Sequence, residues 1–213
     1  MKETDWFTVR GISKGDKLVE GAQFLILKNI HGKQNDSLES MDSGKNLRRK
    51  DEMSRKLVAY FSASGVTKRV SETVAKAAGS DIFEIIPAEK YTDADLNWQD
   101  DKSRSSVEMK NKSIRPEIAA GCKVDDMAEV DTLIVGFPIW WYVAPTIINT
   151  FLEQYDLSGK KIVLFATSGS SGMGNTAAEL KPSAPGAEFA GEKRLAANIS
   201  EADVKAWLNT LDV

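Results

Sequence analysis

From residue 57 onward the chain alternates between short continuous apolar runs and stretches whose apolar residues recur every three or four positions. The runs at residues 57–61, 81–87, 130–137 and 161–166 are rich in Leu, Ile, Val, Phe and Ala, the composition of strands buried on both faces. Between them, Val70, Val74 and Ala78 fall at helical spacing and Gly79 supplies a stop. Ile147, Ile148, Phe151, Leu152 and Tyr155 repeat the pattern behind Pro145, with Ser158 and Gly159 as the terminator. A short helix is expected over residues 175–181 and an edge-like fifth strand around residues 187–190. A last helix follows, opened by Ser200 and Asp203 at capping-box spacing, with Val204, Trp207, Leu208 and Leu211 facing inward. This alternation predicts an α/β fold, a doubly wound five-stranded parallel sheet with helices on both faces.

Two segments break the rhythm. Residues 89–126 are polar and too long for a plain connector, so an excursion with a role of its own, or a lid, is expected there. Tyr91 and Trp98 are expected to anchor it to the domain rather than to touch a ligand. Residues 1–52 form an N-terminal extension: apolar stretches at 6–9 and 24–30 suggest two short strands, and residues 34–46 read as linker. Two such segments cannot build a core. The extension either packs on the main domain, stays mobile, or precedes a native start at Met53, since residues 48–52 can be encoded almost wholly by purines, as a bacterial ribosome-binding site is. The main domain is therefore drawn over residues 53–213.

Composition narrows the chemistry. A formal net charge of −3 over 213 residues argues against a nucleic-acid partner. The absence of a long apolar run argues against a membrane span, and the polar N-terminus against a secretory signal. The single cysteine, Cys122, rules out an intramolecular disulfide and fits a cytoplasmic location. The only histidine, His31, lies in the extension, so the main domain has none for acid–base work or metal binding. No residue is singled out as catalytic, no metal is expected, and a cofactor is expected to supply any chemistry.

Three loops carry ligand-type residues. The first, Ser62, Ala63, Ser64, Gly65, Val66 and Thr67, joins the first strand to the first helix. It is neither a Walker A loop nor a Gly-x-Gly-x-x-Gly turn. Such a turn serves either as a helix cap or as an anion cradle, in which N–H groups, hydroxyls and the helix dipole face a phosphate. The second, Pro138, Ile139, Trp140 and Trp141, ends the third strand. Two adjacent tryptophans cannot both point into one core, so at least one is given a ligand role, against the plainer reading of a packed strand end. The third, Thr167, Ser168, Gly169 and Ser170, is a run of small hydrogen-bonding residues after the fourth strand. Ligands of open parallel sheets bind at the strands' carboxyl ends near the switch in strand order. In a 2-1-3-4-5 order these three loops converge, and a ligand with a phosphate, a polyol and a flat aromatic ring suits them.

The first loop resembles the Thr/Ser-x-Thr/Ser-Gly-x-Thr loop with which flavodoxins hold the phosphate of FMN. From Lys56 onward the chain is identified as a member of the flavodoxin-like family. The resemblance implies FMN as cofactor, with Ser62, Ser64, Gly65 and Thr67 at its phosphate and Pro138, Ile139, Trp140 and Trp141 flanking the isoalloxazine. Thr167, Ser168, Gly169 and Ser170 would meet the ring's polar edge and the ribityl chain. Flavodoxins that carry single electrons usually place a glycine beside the ring, where a peptide can flip toward the half-reduced flavin; residues 140–143 offer none. The run 137–145 is also similar to the Phe-Pro-x-x-Trp-x-x-x-Pro stretch of flavodoxin-like quinone reductases, which take hydride from NAD(P)H and are often dimers. Three functions stay open: an FMN electron carrier docking a redox partner protein, an FMN-dependent NAD(P)H oxidoreductase acting on quinones or similar small acceptors, with a possible homodimer, and a flavin-free interaction module of the same fold.

Overall fold

The computed structural model describes residues 54–213. The two strands and linker expected in the extension, His31 and the start at Met53 lie outside the described residues. Five parallel strands, β1 (Lys56–Tyr60), β2 (Asp81–Glu84), β3 (Thr132–Pro138), β4 (Lys161–Thr167) and β5 (Glu188–Arg194), form one sheet in the order β2-β1-β3-β4-β5. The helices are α1 (Val66–Ala78), α2 (Arg104–Lys110), α3 (Ile147–Leu152), α4 (Thr176–Leu180) and α5 (Glu201–Leu208).

The period-two alternation of each strand sorts its side chains into two cores. Leu57, Ala59 and Phe61, with Leu133, Val135, Phe137, Ile162, Leu164 and Ala166, face one side, covered by Ile147, Ile148, Phe151 and Leu152 of α3 and Leu180 of α4. Val58, Ile134, Val163 and Phe165 face the other, beneath Val70 and Val74 of α1 and Val204, Trp207 and Leu208 of α5. β3 is in the middle because its residues are apolar on both faces. At Gly136 it makes room for the ring of Phe165 on β4, its register partner. α1 ends where the sequence predicts: Gly79 is left-handed (φ 62°), and the N–H groups of Gly79 and Ser80 return to the carbonyls of Lys76 and Ala75.

The differences from expectation lie at the sheet's edges and in the long segment. β2 stops at Glu84 rather than running buried to Pro87, and Ile82 is exposed, because β2 has only one neighbour. Its continuation pairs instead with the segment's return: Ala88 N–H donates to the Glu117 carbonyl and Ala119 N–H to that of Ile86, both at 2.8 Å. Cys122 packs over this join; its thiol donates to the Glu84 carbonyl (3.3 Å) and accepts from Ile86 N–H (3.4 Å). β5 is longer than the apolar residues indicate, since an edge strand accommodates Glu192, Lys193 and Arg194 facing water.

The segment 89–126 contains an unpredicted helix, α2, capped by Ser103, whose hydroxyl accepts from Ser106 N–H. Its far end is tied to the domain by Lys112–Glu179 and Arg115–Glu153 ion pairs. Trp98 does not anchor it; that side chain is 70% exposed. No described helix is long and apolar enough to cross a membrane, and among the described residues no cluster of three or more His, Cys, Asp or Glu side chains is placed to hold a metal.

The fit of Phe165 against Gly136 is testable. A Cβ at Gly136 would overlap the Phe165 ring between two fully buried strands. Gly136→Ala is expected to lower stability by about 1–3 kcal/mol in urea denaturation; a loss below the error of the melt would show that the ring has room to move.

Candidate functional site

The carboxyl ends of β1, β3 and β4 lie side by side, and backbone pairing sets how far each projects. Phe61 N–H donates to the Gly136 carbonyl (2.9 Å) and Ile139 N–H to the Thr167 carbonyl (3.0 Å), so the three loops leave the sheet from a common edge. The first and third are also joined directly: the Thr67 and Thr167 hydroxyls are 2.8 Å apart in the buried floor between them. Of the two O–H groups in that pair, one is used in the mutual bond and one is left to donate elsewhere.

In the first loop, Gly65 is left-handed (φ 83°) and caps α1. The Ser62 hydroxyl accepts from Gly65 N–H (3.1 Å) and Lys68 N–H (3.2 Å), folding the loop over the helix end. The N–H groups of Val66 and Thr67 belong to the first helical turn and have no intrahelical acceptor. No acidic residue stands in that turn, which carries Lys68, its Nζ paired with Glu84 (3.1 Å), and Arg69. Ser64 and Gly65 are exposed, Ser62 and Val66 half-buried, and Ala63 packs against the core. A Cβ built on Gly65 meets nothing within 4 Å, so the space above the loop is open. Donors, positive field and room fit a phosphate. The Ser-rich turn thus caps the helix and leaves backbone donors facing open space, the geometry an anion cradle requires.

The second loop departs furthest from ordinary backbone. Trp140 N–H donates to the Val143 carbonyl (2.9 Å) and Val143 N–H to that of Trp140 (3.1 Å), closing a two-residue turn. Its central residues, Trp141 (φ 45°) and Tyr142 (φ 71°), are both left-handed. Turns of this hand normally use Asn-Gly or Gly-Gly; placing a Trp and a Tyr there costs about 1 kcal/mol or more each. Gly174, from the loop after β4, packs on the turn, where a Cβ would overlap the Tyr142 carbonyl. The rings diverge accordingly. Trp141 is 38% and Tyr142 72% exposed, whereas Trp140 is half-buried and packs against the core together with Ile139. Pro138 ends β3 opposite Thr167.

Trp140 meets Phe61 edge-on (5.7 Å between ring centroids, 88°) and Tyr91 likewise (5.2 Å, 74°). Tyr91 reaches in from the start of the long segment and is held from behind. Its hydroxyl donates to Glu108 Oε2 (2.6 Å), Arg104 Nε donates to Glu108 Oε1 (2.7 Å), and the guanidinium lies 4.0 Å from the Tyr91 ring centroid. Burial first, then the bond to the Glu108 carboxylate, pushes the Tyr91 phenol well above its ordinary range. Tyr91 is therefore protonated at neutral pH with its proton already committed.

The third loop is the most open. Thr167 is buried, Ser168 half-buried, and Gly169 and Ser170 exposed. The Ser168 hydroxyl donates to the Ser171 carbonyl, and Arg194 Nη1 reaches the Ser168 carbonyl (3.4 Å).

All fourteen residues singled out from the sequence thus lie at the carboxyl ends of β1, β3 and β4, in the loops there or in the strand and helix ends that bound them. Tyr91, Arg104, Glu108, Tyr142 and Gly174 were not among them. The Arg104–Glu108 spacing of four is a visible helical signal, but nothing in the sequence links it to Tyr91; left-handed Trp141 and Tyr142 contradict the residue preferences that would have marked a turn.

A family model for flavodoxin matches residues 55–211. Among solved structures, a candidate flavoprotein from Bacteroides eggerthii is 44% identical, with a TM-score of 0.70 over 75% of this chain and 98% of that one. Another from Bacteroides uniformis is 47% identical, with a TM-score of 0.68 over 73% and 97%. The flavoprotein from Lactobacillus acidophilus in complex with FMN is 23% identical and shares the fold, with a TM-score of 0.57 over 73% and 99%. No curated protein is similar enough to match the chain.

The strained turn gives a paired prediction. Tyr142→Gly, at an exposed left-handed position, is expected to raise stability by about 0.5–1 kcal/mol despite removing an aromatic ring. Gly174→Ala is expected to lower it by about 1–3 kcal/mol. Urea melts of both variants check this; a destabilised Tyr142→Gly would mean the turn is not strained.

Proposed function

Because the chain belongs to the flavodoxin family, we propose that it binds FMN across the ends of β1, β3 and β4 and transfers electrons through it. The observation that carries this reading is the joined set of three loops, with the Thr67–Thr167 hydroxyl pair fixing an anion-facing helix end beside an aromatic wall. The phosphate would lie against the first turn of α1, met by the N–H groups of Val66 and Thr67, the Ser64 hydroxyl and the spare hydroxyl proton of the threonine pair. Trp140, already oriented by its neighbours, would wall one side of the ring, and Thr167, Ser168, Gly169 and Ser170 its polar edge. Bound FMN supplies one- and two-electron redox capacity, which no cluster of side chains here offers. The residues' part is to bind, to orient and to limit water at the ring.

One observation favours a second reading within the same site, an NAD(P)H oxidoreductase acting on quinones or similar small acceptors. The excursion 89–126 reaches the site through Tyr91 and adds a wall beside the loops, as a pocket for a small acceptor needs. The carrier, in contrast, docks a redox partner protein and keeps one flavin edge open. In neither case does Tyr91 deliver a proton, since its hydroxyl is bound to Glu108.

Three experiments test the proposal. The purified protein is expected to be yellow or to take up added FMN; failure to bind it would remove the site. Under anaerobic conditions, prompt bleaching by NADPH or NADH makes it an oxidoreductase, whereas indifference to both with stepwise reduction by dithionite makes it a carrier. In fluorescence titrations, Trp140→Ala is expected to weaken FMN about tenfold and Trp141→Ala much less, because only the half-buried Trp140 is pre-oriented. Equal, negligible losses would count against an aromatic wall.

A further inference from the structure

We propose that Tyr91 is a positioning residue for Trp140: the Arg104–Glu108–Tyr91 chain fixes the plane of the indole, so that the excursion, and not the sheet alone, sets the environment of the bound ring. The inference rests on the FMN reading for its ligand and on the packing of the three rings for its parts.

Trp140, just past β3, has two ring neighbours, Phe61 just past β1 and Tyr91 from the excursion, and both approach edge-on. Two such contacts from different directions hold a ring's plane, since turning the indole sacrifices both. Phe61 and Tyr91 also meet each other (5.6 Å, 62°), which closes the three rings into one cluster. Of the three, only Tyr91 carries a polar tether. Its hydroxyl is bound to Glu108, which is 5% exposed. A carboxylate buried to that degree needs partners; Arg104 Nε and the Tyr91 hydroxyl supply them, and Arg104 Nη1 reaches on to the Glu89 carbonyl (2.9 Å). The network thereby clamps the first turn of α2 to the chain just before Tyr91. As a device for stability alone it is poorly chosen, because apolar residues at these positions would pack without burying a charge. What a tethered tyrosine adds is a fixed ring orientation. The same tether removes Tyr91 from acid–base work, which makes its contribution one of position.

The test uses the full chain with Tyr91→Ala, Tyr91→Phe and Glu108→Gln. Three quantities are read: the FMN dissociation constant, the midpoint potential of bound FMN, and the ligand-free near-ultraviolet circular dichroism band assigned to Trp140 by its loss in Trp140→Phe. Tyr91→Ala is expected to weaken FMN about tenfold, displace the potential and diminish the band. Tyr91→Phe, which releases the tether but keeps the ring, and Glu108→Gln, which leaves one acceptor oxygen for two donors, are expected to weaken FMN about threefold. Wild-type affinity, potential and band in Tyr91→Ala, whatever its melting temperature, would overturn the proposal. Should Tyr91→Ala fail to fold, the other two variants decide on the same readouts. Should the wild type bind no FMN, the FMN reading fails by itself, and the Trp140 band alone decides the brace: its loss upholds positioning by Tyr91 and its persistence refutes it.

Discussion

Burying both faces of β3 is the constraint from which the rest of this molecule follows. Leu133, Ile134 and Val135 are fully enclosed by helices on either side, so neither face of the sheet's centre is available to a ligand. In a parallel sheet every connection crosses from the carboxyl end of one strand to the amino end of another, and the order β2-β1-β3-β4-β5 sends the crossovers from β1 and β3 to opposite faces. The loops after β1, β3 and β4 are left beside one another at an edge where backbone donors and hydroxyls meet open space. The Thr67–Thr167 bond is a consequence of this arrangement: two residues a hundred positions apart meet because their strands sit one either side of β3.

Apart from left-handed Asp212 near the C-terminus, a residue type that tolerates this backbone, the structure's departures from low-energy local choices lie at that same edge. Trp141 and Tyr142 hold left-handed backbone that glycine or asparagine would adopt at lower cost, and Gly174 gives up its side chain to let them. Glu108 is a buried carboxylate where an apolar residue would suffice for packing. The interior of the sheet shows nothing comparable: Gly136 beside Phe165 is a close fit in relaxed extended backbone. Strain and buried charge concentrated at one end of an otherwise regular fold mark the place where stability has been given up for a fixed arrangement of side chains.

This division also explains what the sequence revealed. Both faces of β1, β3 and β4 are buried, so their runs are continuously apolar, and α1 has a helical stripe with a glycine stop; these local signals place each loop at the end of a buried strand, and the order 2-1-3-4-5 brings the three to one edge. The edge strands were less legible, because a strand with one neighbour admits residues of either kind: Ile82 faces water in β2, and Glu192 to Arg194 extend β5 without an apolar pattern. The excursion was least legible. Seven residues of helix gave too short a stripe to read, and the large aromatic that faces inward is Tyr91, packed on the core and bonded to Glu108, while Trp98 faces out.

The two halves of the site therefore answer to different parts of the chain. The anion-facing end is built by β1, α1 and β4, and its geometry is as rigid as the sheet that carries it. The aromatic end is built by a strained turn and a tether from the excursion, whose attachments are polar: Arg104 with Glu108, Lys112 with Glu179, Arg115 with Glu153. Polar attachments of this kind change with single substitutions that leave both cores intact, whereas the Thr67–Thr167 floor is fixed by the strands that flank β3. One end of the edge is thus held by the backbone of the sheet, and the other by side chains of the excursion.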